Sequence, residues 1–511
     1  MTDFNSDLRI ESGTSTNPIE IIKGIVKKVP KYWLSKVGVK KLIKRLPIFK
    51  ERLDIPSSDK IFSWIEGICQ TPHRRPGTAE DHKAEEWVIN QFKEFGLEQI
   101  TRDPISINVW QAEKWSLRVN DKEMPSFFVV NSGFTPSTGI IAPLIYVGKG
   151  RAKDFKNLDV KGKIVVADVP FPYIPMGILF NFLKLLRAVY HISNPDYSLR
   201  LLTANYINFV RQNFMGGTTL ETAADNDVYW NAVKGGAKAV CLILKDQPSN
   251  SNSHYGPYDG IMKPIPGLWI AKYDGINLRR LAKKNTQATL ILEGMIKDGE
   301  MSNIWGILPG LTDEIVMVTS HHDAPFKGAI EDGSGVAQVL AQASIWSKVP
   351  KEKRRRTMVF VIDAGHFYGS LGAIKYPKDH KEIMKKVKIL ITLEHLGARE
   401  VIEKNKEYVE TNQLAYTCMF TSTNPLTIAT VTTALIKKPA RTTISIPLDL
   451  LADVPTSDAA GYALGSDASI ISWIGCPYYL LDEYDTLDKV AKSELKPICE
   501  TVTEMIKPYM A

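Results

Sequence analysis

Cysteine is scarce in this 511-residue chain. The five residues, Cys69, Cys241, Cys418, Cys476 and Cys499, are widely spaced, odd in number and without a C-x-x-C pair. That pattern excludes a disulfide framework and a cysteine-ligated zinc site, and predicts reduced, mostly buried thiols. No run of 18 apolar residues occurs, so no ordinary spanning helix is expected. Met1 to Thr16 is polar and lacks an apolar h-region, which gives the expectation of a cytoplasmic protein without a secretory signal. No G-x-S-x-G elbow, Walker pattern or dinucleotide-binding glycine pattern is found, so serine hydrolysis and nucleotide chemistry have no support.

A net excess of basic charge is also missing from most of the chain. The net charge is +8, and the segment from Glu20 to Ile55 alone holds 11 Lys and Arg against Glu20, Glu51 and Asp54. The remainder is therefore neutral, which argues against a nucleic-acid partner, whose binding would need a basic face on the main body. Within the basic arm, Ile21, Ile22, Ile25, Val26, Trp33, Leu34, Val37, Leu42 and Ile43 recur at helical spacing. The arm reads as one or two amphipathic helices packed on the body, with peripheral membrane docking or a subunit contact through residues 20–55 as the alternative. A homo-oligomer is expected.

A length of 511 residues predicts several domains. Two helices flank the turn-rich Thr71 to Gly77: one carries Ile61, Phe62, Ile65 and Ile68, and the other runs from Glu85 to Phe95 and stops at Gly96. Strand alternation follows at Ile105 to Val109 and Ser116 to Val119. From Met124 to Gly294, short strands such as Leu144 to Val147, Lys163 to Ala167 and Ala239 to Ile243 are punctuated by Gly and Pro. Met176 to Phe214, an apolar helical stretch, looks inserted. From Asn303 onward strands and helices alternate, predicting an α/β domain with a mostly parallel central sheet and helices on both faces.

In that last part three polar clusters follow three apolar strands. Ile315 to Thr319 leads into Ser320-His-His-Asp323 and then Glu331-Asp-Gly-Ser-Gly335. Thr357 to Ile362 leads into Asp363-Ala-Gly-His366, and Val387 to Leu393 into Glu394-His395. Four of the nine histidines sit there, beside five carboxylates. Ligands in such sheets bind beyond the strand carboxyl ends. Imidazole with carboxylate suits a divalent ion, zinc foremost, with manganese or iron as alternatives. Neighbouring strand residues face opposite ways, so His321 and His322 are not expected to reach one ion together.

These motifs resemble the metallopeptidase family of bacterial leucyl aminopeptidase, glutamate carboxypeptidase and glutaminyl cyclase. The resemblance runs from about residue 58 to 511. It rests on the Arg-Pro-Gly loop at Thr71 to Glu98, on Asp313 to Asp323, on Gly328 to Val336, and on Ser466-Asp467 through Gly475-Cys-Pro477 with Asp485-Thr-Leu-Asp-Lys489. Residues 144–148, 159–166 and 234–240 are similar to the protease-associated domain often inserted in this family. The implied organisation is a basic arm at 1–57, a first catalytic part at 58–123, a β-rich protease-associated insert at 124–298 with a helical elaboration at 176–214, and the metal-site part at 299–511.

The resemblance implies His321 as a metal ligand oriented by Asp323, Glu331 at the bridging position with Asp332 beside it, and Glu394 as a further ligand. Two of the family's positions differ. Where its Glu-Glu pair should follow Asp363-Ala364, this chain has Gly365-His366-Phe367, and Leu481 replaces its late histidine. The expectation is therefore a remodelled site with one or two divalent ions held by His321, Glu331, Asp332, His366 and Glu394. Asp323, Asp332 and His395 are the candidates for orientation and proton transfer. The reaction expected is hydrolysis of a C–N bond in a peptide-like or small-molecule amide. A non-catalytic scaffold and a one-metal transferase like the glutaminyl cyclases are the alternatives.

Overall fold

A computed structural model describes residues 18–169, 174–175, 183–193, 203–204, 227–247, 249–438, 440, 442–450, 457–475 and 477–511. The polar start at 1–16, Cys476 and most of the 176–214 stretch lie outside the described residues.

Two 22-residue strands, β1 (Glu98–Val119) and β2 (Gln287–Leu308), run antiparallel along each other from Glu98↔Ile307 to Val119↔Ala288. The two stretches of alternation in the sequence are thus one strand. Pro104 is tolerated there because β1 pairs only with β2 at that point. β2 in turn joins both halves of the molecule. Its start, Gln287 to Leu290, pairs with Ile140–Tyr146, and its end, Ile304 to Leu308, pairs with Arg356–Asp363. Position 298 therefore falls inside a continuous strand. Beyond Ile140–Tyr146 the sheet continues through Ile164–Val169, Ala239–Leu244, Gly267–Ile270 and Phe127–Phe128.

On the other side of β2 come β3 (Thr312–His321), β4 (Arg356–Asp363), β5 (Val387–Glu394), β6 (Thr417–Thr421), β7 (Thr443–Pro447) and β8 (Ser469–Gly475). Their spatial order is β2-β4-β3-β5-β8-β6-β7. The centre, β4-β3-β5-β8, is parallel, while β2 and β6 add antiparallel pairs at its flanks. From the insertion, His191–Ser193 pairs with β7.

The central strands read as unbroken apolar runs because both faces are covered. Val316, Val318, Met358, Phe360, Ile389 and Ile391 face one core, which also holds Val336, Leu340 and Val502 from helices Gly335–Ser347 and Lys492–Met510. The alternate residues Ile315, Met317, Val359, Val361 and Leu390 face a second core with Tyr376 and Tyr462 from helices Leu371–Asp379 and Ala459–Gly465.

The two early helices are Ser58–Ile68 and Ala79–Glu94. The second starts six residues before the expected Glu85. Thr78 caps it by accepting from the Asp81 amide at 3.3 Å, and its polar first turn carries no apolar periodicity to reveal it. In the basic arm, helix Pro18–Ser35 lays Ile25, Val29 and Tyr32 against Phe420, Ile444 and Ile446. Lys31 Nζ stands 2.7 Å from Asp449 Oδ2, while Trp33, Leu34 and Val37 stay exposed. Among the described residues, no helix is long and apolar enough to cross a membrane.

Candidate metal centre

Parallel strands end at a common edge. His321 at the end of β3 lies in register with Asp363 at the end of β4, and β5 ends at Glu394. Between β3 and the helix Gly335–Ser347, the chain turns through Gly328 (φ 61°) and Glu331. Asp485 anchors this turn, its two oxygens accepting from the Ile330 and Glu331 amides at 2.9 Å each. Gly335 lets the helix start close beneath the site, since a Cβ there would meet the Leu393 carbonyl at 2.2 Å and the Asp332 carboxylate at 2.4 Å.

The result is a ring of three imidazoles around one carboxylate. Glu331 Oε1 lies 3.7 Å from His321 Nε2 and 3.5 Å from His366 Nε2, and Glu331 Oε2 lies 3.0 Å from His395 Nε2. The rings of His321 and His366 stack at 4.1 Å. All four side chains are buried. The Nε2 atoms of His321 and His366, Oε1 of Glu331 and Oε1 of Glu394 nevertheless lack a hydrogen bond, and His395 Nε2 has only Glu331 Oε2 before it. One atom each from His321, His366 and Glu394 lies within 4.8 Å of the others, and the same holds for His321, Asp332 and His395. Buried polar atoms without partners are costly, so a convergent set calls for a cation.

The outer side of each ring is already fixed. His321 Nδ1 faces the Asp323 carbonyl at 3.1 Å and its carboxylate at 3.4 Å. His366 Nδ1 faces Asp458 Oδ1 at 3.0 Å, and His395 Nδ1 faces the Gly475 carbonyl at 3.1 Å. An acceptor behind Nδ1 puts the ring proton there and leaves the Nε2 lone pair aimed inward, which is how metal-binding histidines are held. Ser457 donates to Glu394 Oε2 and leaves Oε1 free.

Charge follows geometry. Burial works against the imidazolium of His395, but Glu331 outweighs it and lifts its pKa to about 10. Burial would raise Glu331, yet His395, with His366 and His321, holds it below the usual carboxylate range. Burial and the neighbouring Asp458 push Glu394 up to about 7. Without a metal the cluster balances its carboxylates with protons, and a divalent ion would compete for those places.

The structure brings His321, Glu331, Asp332, His366, Glu394 and His395 together. Asp332 is heavily engaged: Oδ1 accepts from the His395 and Gly335 amides at 2.8 and 3.0 Å, and Oδ2 from the Ser320 hydroxyl at 2.7 Å. Asp323 stands behind His321, with its carboxylate accepting from the His366 and Phe367 amides at 3.2 and 2.9 Å. His395, which alternation along β5 would turn away, reaches the cluster because the strand has ended and its φ is +56°. Leu481 is packed in the core. The Ser-Asp pair at the site is Ser457-Asp458, not Ser466-Asp467, whose Asp467 is exposed. The sequence reading missed Asp458.

His322 turns the other way. Its Nδ1 lies 3.0 Å from Asp81 Oδ1 and its Nε2 3.0 Å from the Ser302 carbonyl. Burial opposes its charge, but Asp81 prevails and lifts the pKa to about 9. Asp81→Asn leaves this imidazolium without its counter-charge and is expected to lower unfolding stability by about 3 kcal/mol in urea titration, with metal content unchanged. His322 holds its proton more tightly folded than unfolded. Its contribution is therefore complete below about pH 6.5 and lost as pH rises through about 9.

Residues 303–447 match peptidase family M28. This part of the chain is thus similar to that peptidase family. Carboxypeptidase Q of Xenopus laevis is 22% identical over 331 residues, 62% of this chain and 61% of that protein. The aminopeptidase YwaD of Bacillus subtilis is 30% identical over 180 residues, 33% of this chain and 36% of its own length. The chain thus spans about three fifths or less of these relatives. Among solved structures, a zinc aminopeptidase from Bacillus subtilis superposes with a TM-score of 0.62 at 20% identity, over 89% of this chain and 95% of that one. A peptidase M28 precursor from Shewanella amazonensis gives 0.64 at 17% identity, over 93% and 96%. The fold shared with these structures thus extends well beyond residues 303–447.

Proposed function

We propose that the protein is a divalent-metal-dependent hydrolase of peptide-like C–N bonds whose ion, zinc in the first instance, is held by His321, Glu331, His366 and Glu394. One observation carries this reading: the buried and unpartnered Nε2 atoms of His321 and His366 converge with His395 on one carboxylate, and each of the three rings is fixed from behind at Nδ1. The M28 match and the zinc aminopeptidase fold support the reaction class.

A bound divalent ion supplies Lewis acidity toward a carbonyl oxygen and a lowered pKa for water. The chain's own residues do the rest. Glu331 ties the ring of histidines together. Asp323 and Asp458 hold His321 and His366 in place, and Asp332 fixes the His395 backbone. His395 is the proton carrier at Nε2, taking a proton during attack and returning it to the leaving amine. Glu331 keeps it protonated when unshared, and a cation drawing on Glu331 would free it to act as base.

The test is metal content of purified protein with hydrolysis of a small panel of dipeptides and acyl amides. About one equivalent of Zn, Mn or Fe and chelator-sensitive turnover are expected, both lost in His321→Ala. A protein that binds no more than trace metal sinks the reading. Stoichiometric metal without turnover on any member of the panel leaves a binding scaffold.

A further inference from the structure

The loop Thr71 to Gly77 carries two arginines with different fates. Arg74 is fully buried and satisfied by backbone carbonyls, donating to His322 at 2.7 Å, Lys327 at 2.9 Å and Gly328 at 3.1 Å. Arg75, next to it, is not. Its Nε donates to the Pro325 carbonyl at 3.2 Å, and Nη2 meets only His73 Nδ1 at 3.5 Å. No carboxylate pairs with it among the described residues. Its guanidinium sits instead among three aromatic rings: Tyr255 at 4.9 Å, Phe128 at 5.4 Å and Phe326 at 5.9 Å.

Ring faces attract a cation, but they leave its planar fork of donors unused. Largely buried cations are normally paired with an anion. The surroundings say where an anion would come from. Tyr255 packs edge-on to Phe367 at 5.5 Å, and Phe367 lies 5.2 Å from the His366 ring and 6.3 Å from that of His321. The buried rings of Tyr255 and Phe367 thus connect the guanidinium, by direct packing, to the histidine cluster.

We propose that Arg75 is a substrate anchor, binding a carboxylate of a peptide-like substrate by a bidentate contact. This rests on the hydrolase reading above and names its substrate class: peptides with a free carboxylate. The fork matches a planar carboxylate in shape, and a charge-assisted pair of this kind supplies specificity as well as affinity.

The test compares leucyl-alanine with leucyl-alaninamide on the metal-loaded enzyme. The free acid is expected to have a KM about 10- to 100-fold below that of the amide, as befits hydrogen bonds to a charged group. Arg75→Met should erase that difference by raising KM for the acid, with kcat changed little and the amide unaffected. Arg75→Lys, which keeps the charge and loses the fork, should fall between. Equal KM for acid and amide in the wild type overturns the proposal, as does an Arg75→Met variant that raises both alike. If neither compound is hydrolysed, the hydrolase reading fails separately, and calorimetric binding of the two compounds still decides the anchor. Preference for the acid, lost in Arg75→Met and reduced in Arg75→Lys, supports it. No preference, or tighter binding of a phosphate-terminated analogue, overturns it.

Discussion

His366→Ala is expected to strip the ion from the protein and to lower hydrolysis by ~10³-fold or more, because several kcal/mol of transition-state stabilisation leave with the metal. The prediction separates this site from one in which His366 merely fills space. Its Nε2 is unpartnered and lies 3.5 Å from Glu331, and its ring stacks on His321. Asp458→Asn gives the graded control. It removes the charge behind His366 Nδ1 but keeps a side chain of the same shape, so metal affinity should drop about 10- to 100-fold without vanishing. The measurements are metal content after dialysis and turnover on the peptide panel. Full occupancy and unchanged turnover in His366→Ala would remove His366 from the site.

That prediction turns on a residue the sequence shows plainly and a partner it hides. His366 stands out because it follows an apolar strand at a position where carboxylates were expected. The parallel runs 312–321, 356–363 and 387–394 are legible for the same reason, since strands covered on both faces read as continuous hydrophobic stretches. Asp458 was not legible. It lies 92 residues after His366, outside any strand-end cluster, and a second Ser-Asp pair at Ser466-Asp467 obscured it. His395 was half legible. Alternation along β5 set it opposite Glu394, and only the left-handed backbone at the strand's end brings both to one side. Periodicity locates the elements, but a single φ past the end of an element is set by tertiary contacts, here the Gly475 carbonyl behind Nδ1 and the Asp332 carboxylate on the amide. β1 and β2 show the same limit. β1 shows in the sequence only as two stretches of alternation and β2 not at all, and their pairing, which carries the sheet across position 298, is set by tertiary contacts.

His395→Ala should behave differently from His366→Ala: turnover falling ~10²- to 10⁴-fold, the range for loss of a positioned acid–base group, while the bound ion stays. The reason lies in where each ring stands. His366 offers its Nε2 together with His321 and Glu394, whereas His395 meets Glu331 through the other oxygen, at 3.0 Å. On the proposed function, a group in that position would exchange protons with the carboxylate and the substrate without being needed to retain the ion. The pH profile tests the same point. A base must be unprotonated, so kcat/KM of the wild type should rise with pH as His395 gives up its proton, and that limb should be missing from the residual activity of His395→Ala. If the metal is lost as well, His395 is a ligand. The donor set His321, Asp332 and His395 then becomes the better description of the centre, and Glu331, bridging all three imidazoles, becomes the remaining carboxylate within reach of the proton.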